Sequence, residues 1–64
     1  MNGKIKAHRT RLGISQQELA DAIGMNRVTV SNVEVGHKPS LKFIKNTLAY
    51  FRKHDPSIRF EDLF

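Results

Sequence analysis

At 64 residues the chain has room for one domain, and a domain of that size hides only about 60% of the surface its unfolded chain exposes, so its core must be thin. With no cysteine, neither a disulfide framework nor a thiolate zinc site can reinforce that core; compact helix packing or dimerisation has to, and the lack of thiols fits a reducing compartment. Eleven Lys and Arg against six Asp and Glu leave a formal charge of +5, which draws polyanions, nucleic acid first and anionic membrane second, without choosing between them.

Ile5, His8 and Leu12 fall at helical spacing, and Gly13 is a good stop because glycine enters the left-handed conformation cheaply. Ser15-Gln16-Gln17-Glu18 matches a capping box, so a second helix starts at Gln16; Leu19, Ala20 and Ile23 are its buried stripe and Gly24 its end. Asn26 is an N-cap only two positions later and opens a third helix on which Val30 and Val33 point the same way, closed by Gly36. His37-Lys38-Pro39-Ser40 is a short loop whose serine can cap a fourth helix. There Leu41, Ile44, Leu48 and Phe51 recur at helical spacing, up to about His54, before Asp55-Pro56 breaks the chain. The tail carries Ile58, Phe60, Leu63 and Phe64 and reads as a short last helix from about Phe60. The expectation is an all-α, compact five-helix domain spanning residues 1–64.

Two short helices joined by so few residues cannot lie parallel and cross at the steep angle of a helix-turn-helix, over about residues 16–35. Close crossing requires a small side chain at the contact and a glycine at the turn, and Ala20 and Gly24 stand where those demands fall. Leu19, Ile23, Met25, Val30 and Val33 supply apolar contacts beneath them. Each of these residues alone is ordinary core; their joint order and spacing is the signal.

From Ile14 to Gly36 the stretch ISQQELADAIGMNRVTVSNVEVG resembles the phage-repressor and Cro-type (xenobiotic-response-element type) helix-turn-helix domains, and the likeness extends from the first helix to the closing EDLF. The resemblance implies a lambda-repressor-like fold that binds double-stranded operator DNA, usually as a homodimer, with the third helix in the major groove. It is specific for fold and DNA binding and weak for which gene is regulated. Repressor or controller is the expected role.

Advancing about 100° per residue, Arg27, Val28, Ser31 and Asn32 share one face of the third helix while Val30 and Val33 share the opposite one. Arg27 suits a bidentate bond to guanine, Asn32 to adenine and Val28 a thymine methyl, and a cation in a first helical turn opposes the helix dipole, an odd place for a purely structural arginine. Gln16 opens the second helix, where backbone donors and dipole favour an anion, and the resemblance implies that its side chain meets the DNA backbone. Gln17, Asn26, His37, Lys38 and Arg11 are further phosphate candidates; their alternative is an ordinary solvated surface. One departure stands out: the family often has Glu-Asn-Gly where this chain has Glu34-Val35-Gly36, and valine cannot bind the phosphate that asparagine can. The resemblance also implies an ion pair between Arg9 and Glu34, decisive for stability if buried and slight if solvated.

His8, His37 and His54 show no metal-ligand spacing, no nucleophile elbow or glycine-rich phosphate loop is present, and neither enzyme, metal nor cofactor is expected. No apolar run approaches the roughly 18 residues of a membrane span and no signal-like opening is seen, so a complete cytoplasmic protein is expected, with no membrane partner. The competing function is a protein-interaction module such as an antitoxin that uses the same fold. The apolar tail residues Ile58, Phe60, Leu63 and Phe64 are candidates for a dimer interface, with core and foreign-partner surface as alternatives.

Overall fold

Five helices succeed one another in the computed structural model, which describes residues 3–64: α1 (Lys4–Arg11), α2 (Gln16–Ile23), α3 (Arg27–Glu34), α4 (Leu41–His54) and α5 (Phe60–Leu63). Residues 1 and 2 of the expected domain lie outside the described residues. The element order and the starts at Gln16 and Phe60 agree with the sequence reading, and the caps explain why. The Ser15 hydroxyl accepts the Glu18 backbone N–H at 3.0 Å while the Glu18 carboxylate accepts the Ser15 N–H at 3.1 Å, satisfying two donors that the first turn leaves orphaned. Asn26 Oδ1 accepts both the backbone N–H and the hydroxyl of Thr29, each at 2.9 Å, and Ser40 Oγ accepts the Phe43 N–H at 3.1 Å. At the far end of α4, Asp55 is extended, as the residue before a proline tends to be.

The core is built from Ile5 of α1, Ile14, then Leu19, Ala20 and Ile23 of α2, Val30 and Val33 of α3, Phe43 and Phe51 of α4, and Ile58 and Leu63. Two expectations change here. On α4 the buried stripe is Phe43-Thr47-Phe51, and Leu41, expected as its first member, is 85% exposed. At about 100° per residue the buried arc centres on Thr47, leaving Ile44 and Leu48 on its flank and Leu41 about 120° away. Both stripes fit helical spacing, and the bulkier Phe43 takes the interior while a buried threonine is invisible to an apolar count.

The tail is the second correction. Ile58 and Leu63, expected at a dimer contact, are 3% and 0% exposed and complete the core; only Phe60 and part of Phe64 remain outside. A thin core explains this, since a 64-residue domain cannot leave every apolar tail residue to a partner. Lys4 Nζ donates to the Glu61 carbonyl, Arg52 Nε donates to the Ile58 carbonyl, each at 2.9 Å, and the rings of Phe43 and Phe64 meet edge to face, so the tail is tied to both ends of the fold.

Candidate nucleic-acid interface

The helix-turn-helix is held by chemistry at its turn. Gly24 ends α2 with φ of +72°, and the Met25 N–H reaches back to the Ala20 carbonyl at 2.9 Å, the long bond of a Schellman turn. A Cβ at Gly24 would meet nothing within 4 Å, so the glycine is required for its backbone conformation and not for close approach. Ala20, wholly buried, is where α2 packs against its neighbours, and α3 is the helix it packs against most extensively. A further support comes from α4: Asn46 Nδ2 donates to the Ile23 carbonyl at 3.2 Å, satisfying an acceptor at the open end of α2.

α3 presents two unlike faces. Val30 and Val33 are 0% and 3% exposed and Glu34 is 7% exposed. On the other side Arg27 and Asn32 are exposed, Val28 is 59% exposed and Ser31 is half-buried. Among the described residues no side-chain hydrogen bond or ion pair engages Arg27, Ser31 or Asn32, whereas most polar side chains on the rest of the helix-turn-helix are committed. Donors and acceptors left unused on one convex helical face, beside an apolar valine, have the composition that base edges in a major groove require.

The expected phosphate contacts are placed less uniformly. Gln17, His37 and Lys38 are exposed, and Gln17 Nε2 donates to Asp21 Oδ1 at 2.9 Å along its own helix. Asn26 is exposed too, with its side-chain oxygen occupied as the α3 cap. Arg11 leans to the turn after α4, where its guanidinium lies 3.8 Å from the Asp55 carboxylate. The Asp55 carboxyl is held below its ordinary range, first by the Ser57 hydroxyl and backbone N–H and then by the nearby charges of Arg11 and His8. Val35, where the family often has an asparagine, is 61% exposed and offers no polar atom from its side chain.

Arg9 and Glu34 do form the ion pair, and it is buried: their side chains are 12% and 4% exposed. Arg9 Nε donates to Glu34 Oε2 at 2.9 Å and Nη2 to Oε1 at 3.2 Å, while Nη1 donates to the Ile14 carbonyl at 2.9 Å. Gln16 Nε2 also donates to Glu34 Oε1, at 3.0 Å. One carboxylate thus joins the end of α1, the start of α2 and the end of α3. The Gln16 contact was not anticipated, because a pair 18 positions apart leaves no periodic trace. Asn46 escaped for the same reason.

The described residues hold no cluster of three or more His, Cys, Asp or Glu that could bind a metal ion, and no helix among them is long and apolar enough to cross a membrane. The rings of His8 and Phe51 meet edge to face, as do those of His54 and Tyr50.

Comparison with known proteins adds to this geometry. Residues 5–54 match the model of the helix-turn-helix family. The chain is 35% identical over 65 residues to the uncharacterized HTH-type transcriptional regulator YgzD of Bacillus subtilis, covering 100% of this chain and 91% of that protein. It is 37% identical over 65 residues to an uncharacterized HTH-type transcriptional regulator of Archaeoglobus fulgidus, covering 100% of this chain and 86% of the relative. A like-named protein of Methanothermobacter thermautotrophicus is 43% identical over 42 residues, 64% of this chain and 61% of the relative. No solved structure matches at the same stringency. The match over residues 5–54 covers the helix-turn-helix and the helices that brace it, and the chain belongs to the Cro/C1-type helix-turn-helix family of DNA-binding regulators.

Proposed function

We propose that this DNA-binding transcriptional regulator recognises a two-fold operator as a homodimer in the cytoplasm and represses or controls the adjoining gene by occupying that site, with no catalytic step. The observation that carries the reading is the outer face of α3, where Arg27, Val28, Ser31 and Asn32 make no side-chain hydrogen bond or ion pair among the described residues, opposite a buried inner face. With α3 in the major groove, Arg27 pairs with a guanine, Asn32 with an adenine, Val28 meets a thymine methyl and Ser31 adapts to either base. Gln16, Gln17, Asn26, His37, Lys38 and Arg11 fix the register through phosphates. With Ile58 and Leu63 committed to the core, the dimer contact falls to Phe60, 50% exposed, together with Phe64.

Selection of bound duplexes from a random pool at two salt concentrations tests this reading. The expected result is a palindromic or pseudo-palindromic site with half-sites about one helical turn apart, bound with an affinity that falls steeply with salt. Enrichment of no sequence at either salt would overturn it. Equilibrium sedimentation showing one copy both in solution and on the selected duplex would overturn the homodimer.

A further inference from the structure

A glutamine at the surface can turn its carboxamide end over end, presenting either an acceptor or two donors. Gln16 is not at liberty to do so. Its partner Glu34 is 4% exposed in its side chain and ion-paired with the Arg9 guanidinium, and a carboxylate in such a pair only accepts. The nitrogen end of Gln16 must therefore face Glu34, as the 3.0 Å contact from Nε2 to Oε1 records. An amide nitrogen carries two hydrogens, and this bond takes one. The anion itself is neutralised by Arg9 within the same cluster, so it offers little repulsion to a second anion placed outside. The same residue opens α2, where orphan backbone N–H groups and the helix dipole already favour negative charge.

We propose that Glu34 is a positioning residue for DNA: by accepting from Gln16 it fixes that carboxamide so that the second N–H of the same nitrogen meets a backbone phosphate at the start of α2. The inference rests on the reading of Gln16 as a phosphate contact. It gives the last residue of the DNA-reading helix a part in setting the register of the helix before it, since α3 carries Glu34 and α2 carries Gln16. Where Val35 withholds a side-chain ligand, a Gln16 locked in its donating orientation supplies an ordered donor without the entropy cost of arranging it on binding.

A double-mutant cycle in operator affinity tests it, with each variant measured below its own unfolding transition. Glu34→Gln keeps the side-chain shape but lets the pair reverse, moving the Gln16 nitrogen to the wrong end. It is expected to weaken binding about ten-fold in the parent and less than about two-fold in a Gln16→Ala background. Equal losses in both backgrounds would overturn the positioning role while leaving Gln16 as a phosphate contact. No loss on Gln16→Ala alone would overturn the phosphate reading beneath it. Should Glu34→Gln fail to fold, the unaltered protein answers by NMR. One of the two Gln16 side-chain amide protons is expected downfield and slow to exchange, staying so when operator DNA shifts the other. Two solvent-like protons in the unbound protein, or loss of the protected one on DNA, would contradict the proposal.

Discussion

The two faces of α3 are built on opposite principles. The inner face satisfies everything it buries: Val30 and Val33 pack into the core, and the Glu34 carboxylate accepts from Arg9 and Gln16. The outer face leaves the side chains of Arg27 and Asn32 without a polar partner among the described residues, and Val28 in water. A helix of eight residues is too short to be stable alone, so the inner face and the cap must supply the order that the outer face uses. The difference implies that stability and recognition are separable on one helix: substitutions inside should unfold the protein, and substitutions outside should leave it folded and misdirected.

The largest expected effect is at Glu34. Glu34→Ala strands the Arg9 cation at a site only 12% exposed, and losing one partner of a buried pair costs on the order of 3–5 kcal/mol. At roughly 0.05–0.15 kcal/mol per residue, a domain of this length holds about 3–10 kcal/mol in total, so the loss is a large share of its stability. Urea titration followed by circular dichroism should therefore find the unfolding midpoint lowered by about a third or more of its parent value. A loss under about 1 kcal/mol would mean that the pair is solvated in solution.

Smaller effects sharpen the comparison at the edges of the helices. Asn26→Ala removes the acceptor for the Thr29 N–H and hydroxyl and should cost about 1 kcal/mol by the same titration. An undiminished midpoint would show that the cap is redundant. In the opposite direction, Thr47 Oγ1 is buried without a hydrogen-bond partner among the described residues. Thr47→Val keeps the branched shape and discards the unsatisfied hydroxyl, so the variant should gain about 1 kcal/mol, a rise of several degrees in Tm by calorimetry. A fall in Tm would mean that the hydroxyl is satisfied.

The smallest effect concerns the turn after α4. The Asp55 carboxyl is lowered in the folded protein by Ser57, so its ionised form stabilises the fold above the ordinary aspartate range, and that contribution is lost as pH falls through the lowered value. Acid titration of Asp55→Asn should show a shallower stability loss below the ordinary aspartate range than the parent. Identical acid limbs would remove Asp55 from the turn's energetics.

Much of this architecture was legible because its determinants are local. Ser15 with Glu18, Asn26 and Gly24 act within a few residues of themselves, and their chemistry marks the starts of α2 and α3 and the turn between them. The outer face was readable for a related reason, since a helix of known start assigns each residue a direction. Periodicity failed where two stripes competed: Leu41 and Phe43 both open apolar series on α4, and only packing against the rest of the core selects Phe43. Composition alone could not divide the tail either, because Ile58 and Phe60 differ in burial and hardly in hydropathy. The Gln16 bond to Glu34 and the Asn46 bond to the Ile23 carbonyl join residues distant in the chain, and such partners exist only once the helices have been assembled.

Arg27→Ala, taken through selection from a random duplex pool beside the parent, tests the division of α3 most directly. The expected result is unchanged thermal stability, relaxed preference at one base position in each half-site and a loss of about 1–3 kcal/mol in binding the parent's site. Selection of the same sequence with undiminished affinity would contradict the assignment of DNA reading to this face.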